Sequence, residues 1–220
     1  MFRFAPEGYP FIAFFAIIAI IVFFIGGMWI ALLPFIVTLF MLYFFRDPER
    51  KTPEGEGLLI SPADGKIILI RDIFESEHLK KDSKQISIFM SPLNVHVNRT
   101  PCNGKVKEVK HNKGRFLAAY KDDASLKNEN IEMVLETKYG DILVRQVAGY
   151  IARRAVCRVK PGGELKRGER YGIIKFSSRL DVYLPKDTEI KVKLGDKVKA
   201  GETIIGVADR LCRMEKTSNI

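Results

Sequence analysis

The feature that most constrains this chain is an uncharged apolar segment of 35 residues, Phe11–Phe45. A single helix of that length would extend roughly 50 Å, well beyond the hydrocarbon core of a bilayer, which is about 30 Å thick. Gly26-Gly27 near its middle permits a tight turn, because glycine lowers helix propensity and adopts backbone conformations closed to other residues. The segment therefore predicts a hairpin of two helices, over 11–25 and 28–45. Each helix is slightly short for a full span, so the hairpin is either transmembrane or embedded in one side of the membrane.

A cleaved signal peptide is the alternative interpretation of such a segment. It would have a shorter apolar core and a small-residue cleavage site, whereas this segment is long and ends in FFRDPER. Arg46, Arg50 and Lys51 follow the second helix, and basic residues favour the cytoplasmic side of a membrane. A hairpin would bring Arg3 to that same side. We therefore expect a protein of the cell membrane whose remaining chain lies on the cytoplasmic side.

The net charge of +10 narrows the choice of partners. A basic chain binds nucleic acid, an acidic membrane surface or an anionic substrate. Helix-turn-helix, zinc-finger and RNP-like aromatic patterns are not found in the sequence, so we expect no nucleic acid and a membrane as partner. The three cysteines have no CxxC spacing and the histidines are isolated, so we expect neither a disulfide framework nor a metal. The sequence leaves a homo-oligomer open.

After Pro53 the pattern changes to short segments rich in Val, Ile, Phe and Tyr, separated by Gly, Pro, Asn and Asp. This spacing is typical of strands and turns, so residues 54–220 are predicted to be mainly β, as packed sheets or a partly closed barrel, with one helix around 115–126. The segment EIKVKLGDKVKAGETIIGVA resembles a strand pair of the biotinyl/lipoyl barrel-sandwich group. A carrier of that group would present a modifiable lysine at a hairpin tip, which this chain lacks, so the resemblance concerns architecture.

Two polar sites interrupt the strand pattern. In IIKFSSRLDVYLP, Ser177 and Ser178 lie between two strand-like runs, and they are either a polar hairpin turn or a reactive pair. In SPADGK, Asp64-Gly65 is either a type I′ hairpin turn or a carboxylate placed to orient a histidine.

His96 in IFMSPLNVHVNRTPCNGKV is the best candidate for a general base. It lies between Val95 and Val97, so in a strand its side chain would point away from theirs. The other two histidines, His78 and His111, lie in charged and loop-like surroundings. A structural histidine is the alternative.

Together these motifs resemble one family. The segments FFRDPER, SPADGK, IFMSPLNVHVNR, GRFLAA, NEN, QVAGYIARR, GGELKRGERYGIIKFSSRLDVYLP and GDKVKAGET occur in the order seen in short-chain phosphatidylserine decarboxylases, which include archaetidylserine decarboxylases. The resemblance runs from about Phe44 to Gly206, and the N-terminal hydrophobic hairpin is also similar. Many separated motifs in one order make it specific.

The resemblance implies a proenzyme that cuts its own backbone between Ser177 and Ser178, giving a large and a small subunit. Ser178 would become a pyruvoyl group, the covalent cofactor, with His96 as base and Asp64 as the residue that orients it. The pyruvoyl carbonyl would act as electron sink when the serine headgroup of phosphatidylserine or archaetidylserine loses CO₂. The implied organisation is a membrane hairpin, 1–45, followed by a barrel-sandwich-like decarboxylase domain, 46–220.

Two positions depart from the family. Its members usually have Gly where this chain has Ser177, and longer members have a second histidine where this chain has Arg99. The first departure motivates the alternative function, a membrane-anchored lipid-binding protein of the same fold that has lost self-cleavage. Arginines near the motifs are candidates to bind the lipid phosphate, because guanidinium binds phosphate through two hydrogen bonds; they are Arg99, Arg153, Arg154 and Arg179.

Overall fold

The computed structural model describes residues 3–114, 128–149, 154–175 and 178–208. These residues form two compact units, one made of 3–49 with 93–95 and the other of the remaining described residues. The helix predicted around 115–126 lies outside the described residues.

The first unit contains the predicted helices. A short 3₁₀ turn, Pro6–Gly8, leads into α1 (Tyr9–Gly26), and α2 (Met28–Phe44) follows after one residue. That residue, Gly27, has a φ of +77°, a backbone conformation that residues with a Cβ rarely adopt, so glycine lets the chain reverse here. The start and end of the pair meet, since Ala5 N donates to Phe45 O at 2.8 Å. The prediction of two helices with a break at the glycine pair is confirmed.

The outer surface of these helices is apolar and exposed. Around the turn, the side chains of Phe24, Ile25 and Trp29 are at least 80% exposed. Among the described residues one helix, Pro6–Gly26, is long and apolar enough to cross a membrane, and Met28–Phe44 is a shorter apolar helix. This composition is compatible with association of the N-terminal helices with a membrane.

The second unit is made of strands, which confirms that the rest of the chain is mainly β. The strands are β1 (Leu58–Ile60), β2 (Gly65–Glu75), β3 (Lys81–Met90), β4 (Val97–Arg99), β5 (Gly104–Asn112), β6 (Asn130–Thr137), β7 (Gly140–Ala148), β8 (Ala155–Cys157), β9 (Glu164–Leu165), β10 (Arg170–Ile174), β11 (Ser178–Pro185), β12 (Glu189–Ile190), β13 (Lys197–Val198) and β14 (Ile204–Val207).

Three antiparallel sheets result. The largest has eight strands in the order β13-β2-β3-β11-β7-β6-β5-β9 and curls into a half-barrel. Two sheets of three strands, β1-β14-β12 and β4-β10-β8, complete the unit. All three contribute to one core, because apolar side chains alternate toward the inside of each strand. Among its members are Leu59, Ile88, Val144, Tyr171, Leu180 and Ile205.

The sheet order excludes the two hairpin-turn interpretations. A hairpin turn joins two strands that pair with each other. β1 and β2, on either side of Asp64, belong to different sheets, and so do β10, which ends before the serine pair, and β11, which begins at Ser178. Both segments therefore connect separate sheets.

The surroundings of the other histidines match the sequence interpretation only in part. His78 lies in the turn between β2 and β3, as expected. His111 was expected in a loop, but it belongs to β5, where it pairs with Ile131. The charged residues around it are the exposed side of a strand whose other side faces the core.

Candidate active site

Ser178 is the first residue of β11 and lies in the middle of the eight-stranded sheet. It pairs with Met90 in β3 on one side and with Ala148 in β7 on the other, and it is completely buried. Its Oγ donates a hydrogen bond to Met90 Sδ at 3.4 Å. A thioether is a weak acceptor. The backbone therefore fixes Ser178 firmly, while the partner of its hydroxyl holds it only weakly.

His96 immediately precedes β4 and is completely buried. Its carbonyl O accepts a hydrogen bond from the N–H of Ile174, the last residue of β10, at 3.3 Å. Side chains alternate along an extended chain, so His96 and Asn98 project to the same side. The Nδ2 of Asn98 is 3.8 Å from Met90 Sδ, the sulfur that also accepts from Ser178. β4, which directly follows the predicted base, thus reaches with Asn98 the sulfur that contacts the predicted nucleophile.

Asp64 ends the loop between β1 and β2 and is nearly buried. Its Oδ1 accepts a hydrogen bond from Ala200 N at 2.7 Å, and its Oδ2 accepts one from Arg50 Nη2 at 2.8 Å. The loop also contacts β4, because Pro62 O accepts from Arg99 N at 2.9 Å. The three motifs that carry Asp64, His96 and Ser178 therefore meet in one region of the β unit.

Two of the arginines expected to bind phosphate are buried. Arg99 donates from Nη1 to Gly168 O at 3.0 Å and is 5% exposed. Arg179 follows Ser178 in β11, so its side chain projects to the opposite face of the sheet. There its Nε lies 2.6 Å from Asp181 Oδ1, and both side chains are buried.

Of the other predicted site residues, the structure describes Arg154. Arg154 precedes β8 and is exposed, and its carbonyl O accepts from Lys175 N at 3.2 Å. Arg153 and Ser177 lie outside the described residues.

Comparison with known proteins decides the family. The phosphatidylserine decarboxylase family model matches residues 37–206. The phosphatidylserine decarboxylase proenzyme of Syntrophus aciditrophicus is 50% identical over 204 residues, which cover 92% of this chain and 96% of that protein. The proenzyme of Geobacter metallireducens is 48% identical over 209 residues, covering 92% and 95%. This chain belongs to the phosphatidylserine decarboxylase family. The family resemblance seen in its motifs is confirmed.

Sequence reasoning missed several residues of this phosphatidylserine decarboxylase site. Arg50 had been interpreted only as a marker of membrane orientation, and it is the partner of Asp64. Met90 contacts Ser178, Asn98 contacts the sulfur of Met90, and Gln146 Nε2 donates to Asn98 Oδ1 at 2.8 Å. The alternation that places Asn98 on the same side as His96 was a signal that could have found it.

Among the described residues one group of side chains has the spacing of metal ligands, outside the Ser178 region of the decarboxylase. It consists of Glu77, His78 and Glu132, with ligand atoms within 4.8 Å of one another. Glu132 is paired with Arg145 at 2.6 Å, and both ring nitrogens of His78 lie within 3.2 Å of carboxylates. The side chains that would bind a metal are thus paired with one another and with Arg145 and Glu108, and we interpret the group as a network of ion pairs.

Proposed function

We propose that this chain is a proenzyme that cuts itself between Ser177 and Ser178 and then decarboxylates phosphatidylserine to the ethanolamine-headed lipid. The observation that carries the proposal is the match of 92% of the chain to phosphatidylserine decarboxylase proenzymes. The convergence of the Asp64, His96 and Ser178 motifs on one region supports the assignment of these three residues. It does so because a serine hydroxyl needs a base and an orienting acid to become a nucleophile.

In the first step His96 takes the proton of Ser178 Oγ, and the oxygen attacks the carbonyl carbon of Ser177. The C–N bond breaks, its nitrogen is protonated, and an ester replaces the amide. Asp64 acts by orienting His96, the role of the acid in a Ser-His-Asp triad. In the second step Cα of Ser178 loses its proton and the Cβ–Oγ bond breaks. Ser177 then ends in a carboxylate, and the dehydroalanine left at position 178 takes up water and releases ammonia.

The surroundings of Ser178 fit the pyruvoyl group that results. Its methyl group derives from Cβ of Ser178, which lies next to the thioether of Met90, an apolar neighbour that needs no hydrogen bond. The pyruvoyl group supplies a carbonyl that takes up the electrons left behind when CO₂ departs from the lipid headgroup. The protein's part is to keep this position dry, as expected from the complete burial of Ser178, His96 and Asn98.

The sheet explains how the two subunits remain together after the cut. The small subunit begins with β11, which pairs with β3 and β7 of the large subunit along both edges. β13 and β14 pair with β2 and β1. Because a central strand is bonded on both sides, loss of one peptide bond before Ser178 leaves these ladders intact. A further association of whole molecules into a homo-oligomer is compatible with the proposal.

For the lipid phosphate we favour Arg154 among the four arginines. Its exposure leaves a guanidinium that can bind phosphate, whereas Arg99 and Arg179 are buried with internal partners. Arg153, the residue before Arg154, lies outside the described residues and remains a candidate from the sequence.

We also propose that residues 1–45 anchor the enzyme in the cell membrane as a hairpin, with residues 46–220 on the cytoplasmic side. The exposed apolar surface of α1 and α2 supports the anchor, and the basic cluster after α2 supports the orientation. Such an anchor keeps the enzyme near its lipid. The strands β12–β14 lie in the segment EIKVKLGDKVKAGETIIGVA. We propose that this part of the domain has the architecture of the biotinyl/lipoyl barrel-sandwich group.

Intact mass spectrometry of the purified protein tests the proposal. The wild-type chain is expected as two fragments, 1–177 and 178–220, the second beginning with a pyruvoyl group. Ser178→Ala is expected as one uncut chain. The processed protein is expected to release CO₂ from phosphatidylserine in detergent micelles, and archaetidylserine is the comparison substrate. An uncut wild-type chain that hydroxylamine also fails to cleave would favour the alternative, a lipid-binding protein that has lost self-cleavage.

A further inference from the structure

A chain of four buried side chains leads across the sheet to Ser178. Gln146 Nε2 donates to Asn98 Oδ1 at 2.8 Å. Asn98 Nδ2 in turn lies 3.8 Å from Met90 Sδ, and Ser178 Oγ lies 3.4 Å from the same sulfur. None of the four residues is more than 1% exposed.

The far end of this chain is held by close packing. Gly172 in β10 lies against Gln146, and a Cβ at position 172 would lie 3.0 Å from Gln146 Nε2 and 2.2 Å from Val156 O. Glycine is therefore needed for β10 to approach the backbone of β8 this closely, and the same position brings β10 against the amide of Gln146.

Met90 is the flexible member of the chain. Its side chain has three rotatable bonds, so packing alone leaves the position of its sulfur poorly defined. A donor on each side, Asn98 and Ser178, restricts that position. Asn98 thus restricts where the sulfur lies, and contact with the sulfur restricts where Ser178 Oγ lies, while its proton remains able to rotate toward the base.

A thioether also suits both states of the cleavage site. A carboxylate or hydroxyl in its place would accept more strongly from the Ser178 hydroxyl and so stabilise the uncut state. After the cut, Oγ leaves with Ser177, and a strong acceptor would remain buried without a donor, which is costly. The sulfur of Met90 incurs no such cost.

We propose that Asn98 is a positioning residue for self-cleavage, which restricts the position of Ser178 Oγ through the sulfur of Met90. This inference rests on the proposed function and names a residue beyond the Ser178, His96 and Asp64 set. Asn98 lies two positions after His96, so one short segment carries both the proposed base and the residue that contacts the nucleophile through Met90.

The test compares self-cleavage rates after cell-free synthesis of the full chain in detergent. Asn98→Asp keeps the acceptor for Gln146 and removes the donor to sulfur, and Met90→Leu removes the sulfur at nearly constant volume. Each is expected to slow the appearance of fragment 178–220 about fivefold to tenfold, the effect of losing one weak to ordinary hydrogen bond. Because the two residues act in series, the double variant is expected to be no slower than the slower single variant.

A matched control separates positioning from stability. Asn130→Asp changes another buried asparagine of the eight-stranded sheet, whose Nδ2 donates to Asn128 O at 3.0 Å. It is expected to lower the melting temperature in the uncut Ser178→Ala background and to leave the cleavage rate unchanged in the otherwise wild-type chain. Asn98→Asp is expected to slow cleavage even if it lowers the melting temperature no more than Asn130→Asp does.

Two outcomes would overturn the inference alone: a wild-type rate for Asn98→Asp, or slowdowns that multiply in the double variant. An uncut wild-type chain would overturn the proposed function, and this inference with it.

Discussion

Arg50 Nη2 and Asp64 Oδ2 form a nearly buried ion pair with a separation of 2.8 Å. Arg50 belongs to the FFRDPER segment and Asp64 to the loop before β2. The second oxygen of the carboxylate accepts from Ala200 N at 2.7 Å. Both oxygens of the proposed orienting residue are therefore held, and Arg50 is the side chain that holds one of them.

Replacing Arg50 by Met is expected to slow self-cleavage. The loss of a charge-assisted hydrogen bond of about 1.5–3 kcal/mol frees Asp64 to rotate, which corresponds to a slowdown of about tenfold to a hundredfold if it acts wholly on the reaction. Glu202→Gln is the matched control, since Glu202 contacts the other terminal nitrogen of Arg50 at 3.4 Å and is more exposed. Equal cleavage rates for Arg50→Met and Glu202→Gln would contradict the expected role of Arg50.

The sequence predicted what depends on local pattern. The apolar run with its glycine pair predicted α1 and α2, and the Val- and Ile-rich segments separated by turn residues predicted a mainly β remainder. Pairs distant in the chain could not be predicted, because nothing local joins Arg50 to Asp64 or Asn98 to Gln146. The burial of Arg179 was within reach of the sequence, since an aspartate two positions later in a strand lies on the same face.

Asp181→Asn is expected to destabilise the uncut chain strongly. The mutation leaves Arg179 buried beside a neutral amide, and breaking a buried ion pair on one side costs about 3–5 kcal/mol. The melting temperature of Ser178→Ala in detergent, with and without Asp181→Asn, measures this loss. The double replacement Arg179→Met, Asp181→Leu is expected to recover most of it. A change near zero for Asp181→Asn would mean that other internal partners, such as Ser87 Oγ at 2.9 Å from Arg179 Nη2, suffice to hold the guanidinium.

The stability of the uncut chain is expected to fall as the pH rises through the titration of His78. Burial lowers the pKa of His78, but hydrogen bonds and charge from Glu132 and Glu108 raise it by more, so the net pKa lies above its ordinary value. The group adds stability that is fully present below the unfolded pKa of 6.5 and is lost as the pH rises through the folded value.

Melting curves of Ser178→Ala between pH about 6 and about 9 measure this dependence, with His78→Gln as comparison. With His78→Gln, the melting temperature is expected to decrease less between pH about 6 and about 9. Other groups face His78, namely Arg145 and Asn112 through Glu132, but neither changes charge there. Parallel curves for the two proteins would show that His78 does not contribute.

Trp29, the sole tryptophan of the chain, reports how deep the proposed hairpin inserts. α1 has 18 residues and so measures about 27 Å, close to the thickness of a hydrocarbon core. Trp29 at the start of α2 is then expected near the far interface, where indole rings are favoured. Lipids brominated at different depths should quench its fluorescence most when the bromine is nearest the headgroup. Strongest quenching by bromine at the chain end would instead indicate a shallow insertion.

Ser177→Gly is expected to increase the rate of self-cleavage. A Cβ restricts the backbone angles that residue 177 can adopt while Ser178 Oγ attacks its carbonyl, and glycine removes that restriction. Removing the Cβ is expected to speed cleavage by about fivefold, since a restricted backbone conformation costs on the order of 1 kcal/mol.

Ser177→Ala is the matched control, because it removes the hydroxyl but keeps Cβ, and it should cleave at the wild-type rate. If Ser177→Ala instead accelerates as much as Ser177→Gly, the hydroxyl of Ser177, and not its backbone restriction, slows the reaction. Hydroxylamine distinguishes the steps, since it cleaves the ester: Ser177→Gly should increase the fragment that begins with serine when hydroxylamine is present, and the fragment that begins with pyruvoyl when it is absent.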